Sequence, residues 1–276
     1  MVSHQALGIA YQGSQYHGWQ YQSPSVPTVQ AHVEQALSVV ANEPISVVCA
    51  GRTDTGVSAT KQVVSFSAQA ERPEKAWVRG VNAHLPDSIS VTFATPVDEA
   101  FSARHSATAR RYFYLIYPAK VRHALFASGY TRTPLRLDAN RMHEAGQALL
   151  GENDFTSFRA SKCQANTPMR NVHHLRVRAE GDVIVVDIQA NAFLHHMVRN
   201  IVGVLMDIGS GRYPVEWMAE LLARKDRTAG SVTAAPMGLY LVDVVYPDYG
   251  QIPKGPALPH LFQSLAAPPL SPIADN

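Results

Sequence analysis

Two hydrophobic rhythms alternate along this chain, and their order limits the fold more than any other feature. "ALGIAYQG" and "KQVVSFSA" have the character of strands. Between them "TVQAHVEQALSVVAN" places Val29, Val33, Leu37 and Val40 at helical spacing, with Thr28 positioned to cap its start. "ISVVCA" is a short apolar run ending at Gly51, which predicts a strand running into a loop. "EKAWVRGVNAHL" predicts a helix and "SISVTFATPV" another strand. The second part of the chain repeats this order. "RRYFYLIYP" is a β-prone aromatic run closed by Pro118. Residues 119–137 then carry no regular pattern. "DANRMHEAGQALLG" predicts a helix from an Asp138 cap to a Gly151 stop. "VHHLRVRAEGDVIVVDIQAN" predicts a hairpin turning at residues 180–182. "HHMVRNIVGVLMDIGSG" is apolar nearly all round and so predicts a buried helix. An amphipathic "PVEWMAELLARKD" and a strand "MGLYLVDVVYP" follow.

Strand, helix, strands, helix, strand in each half predicts an α+β protein. Two similar halves would sit side by side, each a mostly antiparallel sheet with helices on one face. The seam falls near residues 102–110, giving halves 1–105 and 106–247, with no residue-level repeat between them. The proline-rich residues 248–276 are expected to be an unstructured tail. The N-terminal residues lack the basic-then-apolar pattern of a secretory signal, and no apolar run is long enough to span a bilayer. The two cysteines give neither a disulfide framework nor a metal-ligand spacing, so a reducing cytoplasm is expected. Net charge is only +2, which does not demand a polyanionic partner, but 18 of the 24 basic residues are arginine. Arginine forks onto phosphate and stacks on bases where lysine acts as a point charge. A high-GC genome would produce the same bias.

Four stretches can carry chemistry. In "VCAGRTDTGVSA" an arginine and an aspartate, Arg52 and Asp54, lie between Gly51 and Gly56 straight after an apolar run. An aspartate in such a loop is commonly a turn-maker. An adjacent guanidinium adds a second reading, a carboxylate held ionised in a partly dry site. Arg199 sits in the apolar helix among Met197, Val198, Ile201 and Val202 and needs an anionic partner; Asp54 and Asp207 are the candidates. His195 and His196 are adjacent and on a helix would face different directions, which argues against a zinc site. In "FSARHSATARRYFYLIY" the bases Arg104, Arg110 and Arg111 precede Tyr112, Phe113 and Tyr114. Tyr112 and Tyr114 share one strand face, suited to stacking on an unpaired base, or simply to packing. "YQGSQYHGWQYQ" is a polar-aromatic loop fitting either a nucleotide groove or surface packing.

Together these stretches resemble the TruA family of tRNA pseudouridine synthases. "YQGSQYHGWQYQ", "TVQ", "GRTDTGV", "VNAHLPDSI", "FSARHSATARRYFY", "GENDFTSF", "FLHHMVRNIVG" and "APMGLYLVDVVY" occur in the family's order between Tyr11 and about Tyr246. The resemblance implies a pseudouridine synthase fold whose two halves join around a basic cleft, a homodimer, and no cofactor or metal. It implies as substrate the uridines at positions 38, 39 and 40 of the tRNA anticodon stem-loop. It places the catalytic nucleophile on Asp54, a catalytic tyrosine that also contacts substrate on Tyr112, and the aspartate's partner on Arg199. Substrate contacts would fall on Arg52 and on Leu239, which would pack on the base. The run of bases ahead of Tyr112 adds Arg110 and Arg111 as candidate contacts to RNA phosphate. The chain departs from the family's GRTDAGVHA at Thr55 and Ser58, and has Asn153 where a histidine is common. A non-catalytic RNA-binding or chaperone module on the same fold would find Asp54 dispensable. An aspartate-dependent hydrolase would need a second carboxylate near Asp54; the candidate, Asp154 in "GENDF", reads as structural.

Overall fold

The computed structural model describes residues 2–124, 126–161 and 163–257. Ten strands form a single sheet: β1 (Ser3–Tyr11), β2 (Val48–Cys49), β3 (Ser58–Ala68), β4 (Ile89–Pro96), β5 (Ala109–Pro118), β6 (Thr131–Thr133), β7 (Gly151–Asp154), β8 (Met169–Glu180), β9 (Val183–Ala190) and β10 (Leu239–Val245). Four α-helices accompany them: α1 (Val29–Ala41), α2 (Ala139–Gly146), α3 (Met197–Gly209) and α4 (Trp217–Arg224). The "EKAWVRGVNAHL" helix carries a π-helical turn, Ala76–Gly80. Thr28 caps α1 by accepting from the Ala31 amide, and Asp138 caps α2 by accepting from Asn140 and Arg141. The short strand β6 falls inside the segment expected to be irregular, where three residues pair with the end of β5.

The sheet order is β4-β1-β3-β10-β5-β9-β8-β7, with β2 on β3 and β6 on β5. The halves therefore share one sheet, and the last strand, β10, is the join. It runs parallel to β3, with Tyr240 opposite Ser58, and antiparallel to β5, with Leu239 opposite Tyr114 and Leu241 opposite Tyr112. Parallel strands start at the same edge, so the segments that lead into β3 and β10 are brought side by side. Those segments are residues 51–57 and 231–238.

Side-chain alternation along β5 divides the interior. Tyr112, Tyr114 and Ile116 belong to the main core, together with Leu7, Ile9, Val63 and the buried faces of α1 to α4. Phe113 and Leu115 point to the opposite face, where they form a small cluster with Val185 and Val242. Helix α3 is the helical centre of the main core, since Met197, Val198, Ile201, Val202, Val204, Leu205 and Ile208 are all buried. A side chain at Gly203 would strike the Val232 carbonyl at 2.2 Å, so segment 231–238 lies directly on α3.

The expected tail is packed over its first ten residues. Ile252 is buried, and the Lys61 ammonium, itself buried beside Asp243, donates to the carbonyls of Pro253 and Gly255. Residues 258–276 lie outside the described residues.

Candidate active site

The loop at residues 51–57 is held on every side by groups that leave its tip free. The fully buried Gln62 amide donates to the Gly51 carbonyl and accepts from the Gly51 amide. Arg110 donates to the carbonyls of Ala50, Arg104, Ala107 and Asn191, clamping the loop's start to the seam between the halves. The Thr53 hydroxyl pairs with that of Tyr11 at 2.7 Å, and the Trp19 amide donates to the Thr53 carbonyl at 3.0 Å. Gly18 and Gly56 both have positive φ, at 90° and 82°. A side chain at Gly18 would meet the Thr53 carbonyl at 2.8 Å, and one at Gly56 would meet Pro236 at 3.0 Å. The Gly13 amide donates to the buried Ser58 hydroxyl at 3.0 Å. The aromatic N-terminal loop is therefore a buttress rather than a groove: Tyr11, Tyr16 and Trp19 are buried, and only Tyr21 is exposed.

Between these anchors the Asp54 side chain stands open, at 27% exposure. Arg199, two residues into α3, reaches it with Nη1 at 3.2 Å from Oδ2 while its Nε donates to the Ala234 carbonyl at 2.8 Å. Asp207, the other candidate partner, pairs with Arg212 instead. His195 Nε2 lies 3.4 Å from Oδ1, and His196 Nε2 lies 3.3 Å from Oδ2. The expectation that the two histidines diverge on a helix does not hold. They precede α3, and His196 takes a left-handed conformation, φ 61°, that turns both rings onto the same carboxylate with centroids 4.0 Å apart. The His195 amide in turn donates to Cys163 Sγ at 3.4 Å. The two imidazoles and the carboxylate lie within 4.8 Å of one another, a donor set known from divalent-metal centres. Here the Arg199 guanidinium already supplies the positive partner of that carboxylate, and the cluster has the make-up of an acid–base site.

Tyr112 and Leu239 lie on the same sheet face, both buried. The Tyr112 ring meets Phe193 edge-on at 5.2 Å, and its hydroxyl would be 3.6 Å from a side chain at Gly51. Burial pushes its phenol well above the ordinary tyrosine range; the Arg110 charge opposes this and the Asp54 charge adds to it. Tyr112 is thus a neutral phenol. His196 moves the other way, below the ordinary histidine range. Burial is the main cause; Asp54 opposes it, and His195, Arg199 and Arg227 add to the lowering.

Among the described residues, the other predicted positions make no contact with the Asp54 carboxylate. Arg52 is exposed, and among the described residues it makes no ion pair with Asp54. Arg110 spends its guanidinium on backbone carbonyls of the protein itself. Arg111 points to the opposite face of the sheet, 2% exposed, and grips Asp187 through two bonds of 2.8 and 2.6 Å. Alternation along β5 forces this, because Arg111 and Tyr112 are neighbours on one strand. Asp154 accepts from Thr156 and pairs with Lys225, a structural role. Asn153 donates to the carbonyls of Leu149 and Leu150.

A family described as "tRNA pseudouridine synthase" matches residues 8–106 and 145–247. Three relatives named tRNA pseudouridine synthase A align over most of both chains. That of Haemophilus influenzae is 59% identical over 254 residues, 92% of this chain and 94% of its own. That of Actinobacillus pleuropneumoniae is 60% identical over 249 residues, 90% of this chain and 95% of its own. That of Shewanella loihica is 59% identical over 249 residues, with the same coverage.

Proposed function

The chain belongs to the tRNA pseudouridine synthase family, and from that premise we propose how its site works and where on tRNA it acts. The enzyme is an isomerase that converts uridine to pseudouridine in tRNA. The N1–C1′ bond breaks, the base turns, and C5 bonds to C1′. Nothing is oxidised or hydrolysed, so the reaction asks for an ionised carboxylate, a sheltered pocket and proton transfer.

Asp54 is the nucleophile. The observation that carries this reading is its placement: a half-open carboxylate on a loop fixed at both ends, faced by Arg199 at 3.2 Å. Attack at C1′, addition at C6 and removal of the 2′ proton all use that same oxygen. Tyr112 and Leu239 form the wall on which the flipped base packs. Arg52, exposed beside the loop tip, meets the RNA backbone or fills the space that the base vacates.

The target uridines are those at positions 38, 39 and 40 of the anticodon stem-loop. Taking a base out of a stem costs a few kcal/mol, and shape and backbone contacts suit an enzyme that accepts adjacent positions. The active form is a homodimer in the cytoplasm; among the described residues no helix is long and apolar enough to cross a membrane. The test is Asp54→Asn against unmodified tRNA, with pseudouridine mapped by chemical adduct and primer extension. The variant should bind tRNA as the wild type does and form no product. Full activity would overturn the assignment, and product at positions outside 38–40 would overturn the target.

A further inference from the structure

Pseudouridine formation moves a proton as well as a bond. The proton on C5 leaves when C5 bonds to C1′, and N1 gains one, so the balance closes with water and no other reactant. A group beside the nucleophile has to accept the C5 proton. Tyr112 is poorly suited, because burial keeps its phenol protonated. Asp54 is itself committed to the sugar or the base, with Arg199 held against its Oδ2.

We propose that His196 is the acceptor of the C5 proton and that His195, packed against it at a tilt, is its positioning partner. The proposal rests on reading the chain as a uridine isomerase with Asp54 as nucleophile. Both imidazole edges face the nucleophile, at 3.3 and 3.4 Å, from side chains that are 29% and 39% exposed. They are close enough to reach an atom bonded to or touching Asp54, and open enough to pass the proton to water. Adjacent residues of a regular helix point about 100° apart. The left-handed backbone at His196 removes that divergence, and such conformations in non-glycine residues concentrate at functional sites. His195 is fixed by its backbone, which accepts from the Ala160 amide and donates to Cys163. The titratable and charged groups facing His196 are Asp54 on the loop, His195 beside it, Arg199 on α3, and Arg227 in the 227–229 turn. Burial, the main cause, with Arg199 and Arg227 adding to it against the pull of Asp54, lowers the imidazole below the ordinary histidine range, toward the neutral state a proton acceptor needs. Once Asp54 is engaged with substrate, its charge no longer occupies that face of the ring.

The experiment compares wild type with His196→Gln, which keeps a polar amide of similar reach but takes no proton. Substrates are anticodon stem-loop RNAs containing uridine, 5-deuterouridine or 5-fluorouridine. With uridine, kcat should fall about 100-fold, RNA affinity should stay the same, and the acid limb of the kcat–pH profile should disappear. A deuterium isotope effect on kcat should emerge, because C5–H cleavage becomes slow. With 5-fluorouridine, which has no C5 proton, cleavage of the N1–C1′ bond should proceed at the wild-type rate. A kcat within threefold of wild type with its acid limb intact overturns the proposal. So does an equal loss on the uridine and 5-fluorouridine RNAs, which marks a purely structural role. Wild-type protein that makes no pseudouridine would instead overturn the functional reading, and this proposal with it.

Discussion

Two arginine–aspartate pairs lie on opposite faces of the same sheet. Arg111–Asp187 is sealed: Asp187 is 0% exposed, and the guanidinium holds both of its oxygens, with His174 Nε2 a further 3.2 Å away. Arg199–Asp54 is open: a single 3.2 Å contact, a carboxylate 27% exposed, and an arginine whose Nε is spent on a backbone carbonyl. The sealed pair leaves no oxygen for a substrate, whereas the open pair keeps its carboxylate accessible. Pairing alone therefore does not distinguish structural from chemical aspartates; the exposure of the carboxylate does. Breaking each pair should damage a different property.

The largest effect is expected from Asp187→Asn. It strands a buried guanidinium, and removing one partner of a buried pair costs about 3–5 kcal/mol. Chemical denaturation should show that loss, while activity per folded molecule stays near wild type. A similar loss of activity with unchanged stability would mean that the sealed pair also serves the site. The same pair sets a pH dependence. Burial works to raise the Asp187 carboxyl, but hydrogen bonds and charge from Arg111 and His174 hold it below the usual carboxylate range. A depressed folded value gives stability that is fully present above the unfolded value of about 3.9 and lost as pH falls through the folded one. Denaturation midpoints should drop below about pH 4, and Asp187→Asn should flatten that drop.

Breaking the open pair should do the reverse. Arg199→Gln is expected to lower kcat by about 100-fold, close to 2.7 kcal/mol in the barrier. Its effect on stability should stay within about 1 kcal/mol, the range of partly exposed pairs. Steady-state kinetics and denaturation of one preparation measure both. A stability loss as large as that of Asp187→Asn would erase the distinction between the pairs.

The sequence carried part of this contrast openly. Residue patterns marked the main strands and helices, including the caps at Thr28 and Asp138. They also named Asp54 as one of two partners for Arg199. Arg111 reads from the sequence as a contact to RNA phosphate, although the alternation that puts Tyr112 and Tyr114 on one face puts Arg111 on the other. The histidine pair was not legible, since it depends on a non-glycine residue in a left-handed conformation that no spacing announces. Nor was the packing of residues 248–257. Lys61 reaches Pro253 across 192 residues, and a contact of that separation leaves no local trace.

The smallest effect tests how the open pair is kept in place. Ser58 stands where the family pattern has a histidine, and it is buried rather than turned toward RNA. Its hydroxyl accepts from the Gly13 amide, and a side chain at Gly13 would collide with the Val57 carbonyl at 1.9 Å. Ser58 therefore ties the N-terminal buttress to the first residue after the nucleophile's loop. In Ser58→Ala the Gly13 amide loses that acceptor, at a cost of about 1–3 kcal/mol. Denaturation should register the loss. Because Gln62, Arg110 and Thr53 still hold the loop, kcat should fall by no more than about threefold, under 1 kcal/mol in the barrier. A far larger fall in kcat would mean that this one bond sets the position of Asp54. The loop would then depend on its neighbour across the fold more than on its own anchors.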